Sequence, residues 1–233
     1  SPEGGQTVAD IEWKEFITDR KLRRIIEMAL ANNRDLRLAA LNVERVKALY
    51  GVERAQLFPA LDLEGTASKQ QASADLTVPR NARTTEQYSV NLGITSWEID
   101  FFGRIRSLGE QARQEYLATE EARRSARIVL ISAAARTYLI LAADRENLHL
   151  TKSTFHTQRD VHDLIRQRFE IGLATELDLR QSQTQVDRAR RNVALYRQLV
   201  AQDRNALDLL IGSPAPEELL PPDLKSVSSP RNI

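Results

Sequence analysis

Cysteine is absent from the 233 residues. Its absence excludes disulfides and thiolate metal sites and leaves the redox compartment open. Charge of one sign is missing too. The chain has 33 basic against 32 acidic side chains, a net charge of +1, so bulk electrostatics make no case for nucleic acid as a partner. Arginine outnumbers lysine 27 to 6, which reads as composition bias rather than phosphate recognition. Histidine is scarce, with only His149, His156 and His162. Their spacings are wider than the three or four residues that a metal pair on a helix needs. There is no phosphate-binding glycine loop, no nucleophile elbow and no HExxH. Acidic residues such as Glu120 and Glu121 are dispersed among arginines, the pattern of solvated helix faces. No enzyme, cofactor or metal is expected.

Long hydrophobic runs are also missing. The most apolar stretch, residues 128–143, is interrupted by Arg136 and is short for a membrane-spanning helix, so a buried helix is expected there. Residues 1–10 carry no basic segment or apolar run, so no signal peptide is read, and the chain starts as a mature, trimmed or cytosolic product. The most informative absence is proline. Its eight positions are 2, 59, 79, 214, 216, 221, 222 and 230, which leaves residues 80–213 without any. Sandwiches and ordinary α/β domains need more frequent turns than that. Very long helices are expected.

What is present supports that expectation. Charged residues make up 28% and the apolar set 42%, so composition does not indicate disorder. From Leu22 to about Leu57, apolar residues recur in alternating steps of three and four. They read as one helix ended by Pro59, with Asn33, Lys47 and Arg54 interrupting its seam. The period then changes. Leu61, Leu63, Gly65 and Ala67 alternate with Asp62, Glu64, Thr66 and Ser68, and Tyr88, Val90, Leu92 and Ile94 alternate with Ser89, Asn91, Gly93 and Thr95. A period of two predicts strands, separated by a polar loop containing Pro79. The pattern alone favours a soluble amphipathic hairpin, and it also meets the requirement of a transmembrane β-strand.

From about Arg104 to Ile171 one helix is expected, roughly 100 Å long at ~1.5 Å per residue. Ala134, Leu141, Leu148, Phe155, His162 and Phe169 repeat every seven residues, which implies supercoiling against a partner helix. Gly172 breaks that helix, and Thr175 with Asp178 forms a capping-box pattern for the next. Leu179, Ser182, Val186, Ala189, Val193, Tyr196, Val200, Asp203, Leu207 and Leu210 then form the cleanest seam in the chain. Gly212 and Pro214 stop it, and the proline-rich tail reads as an irregular linker.

Four ordered segments carry a resemblance. Trp13-Lys14-Glu15-Phe16 with Leu22, Ile25, Ala29, Leu30, Asn32, Asn33, Asp35 and Leu36 is the first. Ser96-Trp97-Glu98-Ile99-Asp100-Phe101-Phe102-Gly103-Arg104 is the second. The third is Arg168-Phe169-Glu170-Ile171-Gly172-Leu173-Ala174-Thr175-Glu176-Leu177-Asp178. The fourth is Asn205-Ala206-Leu207 with Leu209-Leu210-Ile211-Gly212. Together they resemble the outer-membrane efflux protein family, the TolC and OprM type of exit duct. The resemblance spans the whole chain but only the first of that family's two repeats, so a fragment or a shortened product is expected.

The resemblance implies a mainly α fold with a β-hairpin. It combines a long antiparallel helical hairpin, an element of an α-barrel, with two strands of a transmembrane β-barrel. Its expected parts are an N-terminal segment with a short helix (1–21), a helix leading to the barrel (22–58) and the barrel hairpin with its external loop (59–103). A periplasmic helical hairpin with its tip near 172 (104–212) follows, then a linker toward a second repeat (213–233). Leu61, Leu63, Val90, Leu92 and Ile94 would face lipid, and Ser89, Asn91 and Thr95 the lumen. Trp97, Phe101 and Phe102 would form an interface girdle. Gly172, Leu173, Ala174 and Thr175 would contact a periplasmic adaptor, while Asp178, with Arg168 as a charge partner, would constrict the lumen. The implied function is a passive outer-membrane duct reaching into the periplasm, exporting small amphiphilic compounds with an adaptor and an inner-membrane pump. A two-repeat chain would close a twelve-stranded barrel as a trimer. The alternative is a soluble coiled-coil scaffold capped by the hairpin.

Overall fold

The computed structural model describes residues 13–71, 84–94 and 97–228. The elements in chain order are α1 (Trp13–Phe16), α2 (Arg20–Asn32), α3 (Arg34–Ala55), β1 (Leu61–Gln71), β2 (Thr84–Ile94), α4 (Arg104–Glu170) and α5 (Glu176–Ile211). A 3-10 turn at Glu217–Leu219 follows. Two units emerge: residues 1–40 with 122–233, and residues 41–121.

The first unit has the main hydrophobic core. Asp19 starts α2 by accepting the Leu22 N–H at 2.8 Å, an N-cap that satisfies one orphan donor of the first turn. Leu22, Ile25, Ile26 and Ala29 then fall on one face at helical spacing, and all four are buried. They meet Leu130, Ala134, Tyr138 and Leu141 of α4 and Leu207 and Ile211 of α5. Among the described residues α4 is the one helix long and apolar enough, by length and composition, to cross a membrane. Its apolar run contributes Leu130, Ala134, Tyr138, Leu141 and Ala142 to the buried core, while Ile128, Val129, Leu139 and Ile140 are exposed, so the helix expected to be buried is buried on one face only.

The single helix expected over residues 22–57 is two. Asn33 sits between α2 and α3 with φ −61° and ψ 128°, outside helical geometry. Its side chain explains the break. The carboxamide donates to the Leu210 carbonyl at 3.0 Å and accepts the Leu36 N–H at 2.9 Å. One residue therefore caps α3 and ties the break to the end of α5. Gly212 closes the same corner with φ +78°, and a Cβ there would stand 2.7 Å from the Asn32 carbonyl oxygen. Only glycine meets both demands.

The tail is packed rather than free. Prolines keep it from regular structure, yet Ala215 and Leu220 are buried. The Tyr138 hydroxyl donates to the Leu219 carbonyl at 3.1 Å. Arg145 donates to the Pro221 carbonyl at 3.0 Å and to Glu217 at 2.8 Å. The linker expected over residues 213–233 is thus anchored to the core through Ala215, Leu220 and Pro221, with Val227 partly buried against it, while Pro222 and residues 224–226 stay exposed.

Within the second unit, β1 and β2 form an antiparallel pair in strict register from Leu61 opposite Ile94 to Gln71 opposite Thr84. Val43, Val46 and Ile105 are its buried apolar side chains. The polar loop with Pro79, together with Thr95 and Ser96, lies outside the described residues.

Candidate functional site

No group of three or more His, Asp or Glu side chains that could hold a metal occurs among the described residues. The expected site residues fall instead into three places: a strand ladder, a strand-to-helix junction and a helix-hairpin tip.

Opposite residues of an antiparallel pair share a face, so the register sorts the ladder. One face stacks Leu61 with Ile94, Leu63 with Leu92, Gly65 with Val90 and Ala67 with Tyr88. The other pairs Asp62 with Gly93, Glu64 with Asn91 and Thr66 with Ser89, and the hydroxyls of Thr66 and Ser89 are 2.6 Å apart. A soluble amphipathic hairpin buries its apolar face against the rest of its chain. Here Leu63 and Leu92 are each 72% exposed and Val90 is 75% exposed. No described element covers that face, which removes the physical basis for a soluble cap.

The apolar face ends sharply. Tyr88 occupies its fourth rung, and the next rung on the same face is the Lys69–Glu86 ion pair. The Tyr88 hydroxyl donates to Glu86 at 3.2 Å. From Tyr88 to Ile94 the strand rises about 20 Å at ~3.4 Å per residue, close to the apolar height of an outer-membrane barrel once flanking aromatics are counted. Tyr88 is thus the aromatic that closes the apolar face. The signal was available, since an aromatic followed two residues away by a charge ends an apolar alternation.

At the junction, Trp97 is half-exposed, and Phe101 and Phe102 project with 78% and 102% exposure. The residues between them do different work. Glu98 pairs with Arg104 through two hydrogen bonds, one of 3.1 Å. Asp100, whose side chain is only 8% exposed, accepts the Arg106 backbone N–H at 3.0 Å and its Nε at 3.3 Å. Both pairs are six residues apart and interleave across Gly103, which has φ +78°. They lock the strand exit onto the first turn of α4, where a carboxylate also meets the positive end of the helix dipole. In the sequence, the aromatics of this segment point to an interface role, while its acids and arginines carry a separate signal. That signal is the recurrence of acid and arginine together at a spacing of six.

At the tip, α4 ends in a Schellman motif. Leu173 N–H donates to the Arg168 carbonyl at 2.7 Å, and Gly172 N–H to the Phe169 carbonyl at 2.9 Å. Gly172 supplies the left-handed residue, with φ +77°. Thr175 then begins α5 with a complete capping box. Its hydroxyl accepts the Asp178 N–H at 3.1 Å, and Asp178 Oδ2 accepts the Thr175 N–H at 2.9 Å and its hydroxyl at 2.7 Å. These bonds hold the Asp178 carboxyl below its ordinary range, led by the Thr175 hydroxyl, with Arg168 adding a smaller through-space contribution. No ion pair joins Arg168 to Asp178 directly among the described contacts. Asp178 therefore has a structural duty as a cap, carried by Oδ2. Ile171, Leu173 and Leu177 are 70%, 66% and 65% exposed around this turn. Of these, Ile171 and Leu177 were not singled out from the sequence, although apolar residues flanking so short a turn are its usable sign.

Over residues 25–213 the chain matches the family described as Outer membrane efflux protein. It is 41% identical to the Toluene efflux pump outer membrane protein TtgC of Pseudomonas putida, over 95% of this chain and 46% of that relative. It is 45% identical to the Solvent efflux pump outer membrane protein SrpC of Pseudomonas putida, over 88% of this chain and 44% of that relative. Among solved structures, a membrane protein from Pseudomonas aeruginosa superposes with a TM-score of 0.80 at 36% identity, covering 93% of this chain and 50% of the other. The open-state MtrE outer membrane channel of Neisseria gonorrhoeae superposes with a TM-score of 0.77 at 30% identity, covering 95% and 50%. The chain spans about half the length of the relatives it matches.

Proposed function

Because the chain belongs to the outer membrane efflux protein family, and so to the Gram-negative outer membrane, we propose that it forms half of a subunit of a passive exit duct. The observation that carries this reading is the ladder. Its apolar face is exposed for four rungs and bounded by Tyr88 and a charged pair, as suits a barrel strand pair that meets lipid on one side and water on the other. Leu61, Leu63, Val90, Leu92 and Ile94 face lipid, and Ser89 and Asn91 the lumen. Trp97, Phe101 and Phe102 mark the periplasmic interface and Tyr88 the opposite one. The whole subunit, with two such repeats, trimerises around a common lumen.

The tip is the docking end. Gly172, Leu173, Ala174 and Thr175, joined by the exposed Ile171 and Leu177, present an apolar knob to a periplasmic adaptor that couples the duct to an inner-membrane pump. Asp178 and Arg168 set the charge around the constriction. Transport needs no catalysis in this chain, since the pump supplies the energy. The relatives' names, a toluene pump and a solvent pump, favour small lipophilic molecules as cargo.

The test is fractionation and complementation with the whole gene product. It should appear in the outer-membrane fraction as an oligomer and restore growth on toxic lipophilic compounds to cells lacking their own duct. Recovery in the soluble fraction as a folded monomer would overturn the reading.

A further inference from the structure

We propose that Asp203 on α5 holds a proton against the carboxyl group of Asp144 on α4, a bridge between the two helices that is present in acid and leaves as the pH rises. Asp203 is a conspicuous member of its seam, lying between Val200 and Leu207 where the three-and-four spacing calls for an apolar side chain. On α4, Asp144 follows Leu141 by one helical turn. Leu141 and Leu207, flanking the two acids, are fully buried in the core of the first unit.

The Asp203 Oδ2 atom is buried and has no hydrogen-bond partner. Its neighbour across the seam is another carboxyl group, that of Asp144. Two carboxylates both accept and neither donates, so the one hydrogen bond open to them requires a proton. The cations on the surrounding elements are committed elsewhere. On α4, Arg145 is held by Glu217 and the Pro221 carbonyl. On α5, Arg204 pairs with Glu217 at 2.8 Å. On α2, Arg23 turns to the Ile17 carbonyl and Arg24 to Glu27, while Arg20 and Lys21 are exposed. The remaining acids are engaged as well. Asp208 accepts the Ala215 N–H, and Glu146 accepts the Leu224 N–H and faces Lys225.

Burial, and next the neighbouring Asp144 carboxyl, push Asp203 up from the ordinary carboxylate range. A group raised in the folded state stabilises the fold fully below its unfolded pKa and loses that contribution as the pH climbs through the folded value. The α4–α5 contact is therefore tightest in acid and loosens toward neutrality.

Asp203→Asn tests the idea in the whole gene product in detergent micelles. The amide keeps the carboxyl shape and always supplies a donor to Asp144, so it mimics the protonated pair. Near pH 4 the parent and the variant should unfold together by circular dichroism, and near pH 8 the variant should unfold about 2–4 °C higher. A gap that stays constant across this range would overturn the proposal. So would a variant less stable than the parent at every pH, the result expected if a cation served Asp203. Infrared spectroscopy of the parent gives a second readout. It should show a protonated-carboxyl band that persists above the ordinary carboxylate range and disappears as the pH rises further, and its absence overturns the proposal whether or not the variant folds.

Discussion

His162 Nδ1 stands 2.8 Å from Ser182 Oγ across the seam between α4 and α5, and Ser182 gives its own proton to the Leu179 carbonyl at 2.8 Å. A hydroxyl has one hydrogen, so the imidazole must be the donor, with its proton on Nδ1. The pair forms a polar layer in a seam that is apolar further along α5, where Val186, Ala189 and Val193 are buried. Such a layer selects one register over its neighbours.

Ser182→Ala leaves the His162 N–H facing a methyl group in a half-buried seam. It should destabilise the hairpin by about 1–2 kcal/mol, with His162→Leu recovering part of the loss in the double variant. Thermal unfolding of the single and double variants measures the coupling. Strictly additive effects would show that the two side chains do not interact.

The two helix-ending glycines differ in what surrounds them. Gly172 has open space where a Cβ would go, while at Gly212 the Cβ would collide with the Asn32 carbonyl oxygen at 2.7 Å. Both residues are left-handed, with φ of +77° and +78°, so alanine costs about 1–2 kcal/mol at either. Gly212→Ala should lower the unfolding midpoint distinctly further than Gly172→Ala. Equal midpoints would mean that the backbone at Asn32 yields without cost.

The capping box makes the tip acid-sensitive. The Asp178 pKa is lowered by the Thr175 hydroxyl and backbone N–H, so its contribution is present above the unfolded carboxylate value. It disappears as the pH falls through the folded one. Amide exchange of residues 175–179 should therefore accelerate below about pH 4 in the parent and lose that pH dependence in Asp178→Asn. Thr175→Ala removes the N-cap acceptor and should cost about 1 kcal/mol at neutral pH.

A charge on the two faces of the ladder should have opposite outcomes. Leu92→Lys places an ammonium in the middle of the exposed apolar face, at an expected cost of about 2–4 kcal/mol in lipid. Asn91→Lys places it on the polar face, with little effect. Heat resistance of the oligomer extracted from membranes is the readout. Equal behaviour of the two variants would contradict the assignment of faces.

The elements were legible because their signals are local. Alternation over Leu61–Ala67 and Tyr88–Ile94, the seam from Leu179 to Leu210, and the Gly172, Thr175 and Asp178 punctuation each act within a few residues of the chain. The break at Asn33 was not legible, since an asparagine in a helical seam reads as a polar layer. It becomes a cap because the Leu210 carbonyl arrives from 177 residues away. The tail misled for the same reason. Its prolines announce irregular backbone, but only Tyr138 and Arg145 of α4 decide that irregular backbone is also buried.

Sequence alone thus determined which segments are helix, strand and turn except at the Asn33 break, and with the four ordered motifs it determined the family as well, because periodicity and capping are short-range physics. Tertiary structure decided three further matters. The apolar ladder face is left uncovered by its own chain, two carboxyl groups meet with no donor between them, and the proline-rich tail closes the core. Each depends on which groups distant segments bring together, and hydrogen bonds and burial across such distances leave no mark in the local pattern.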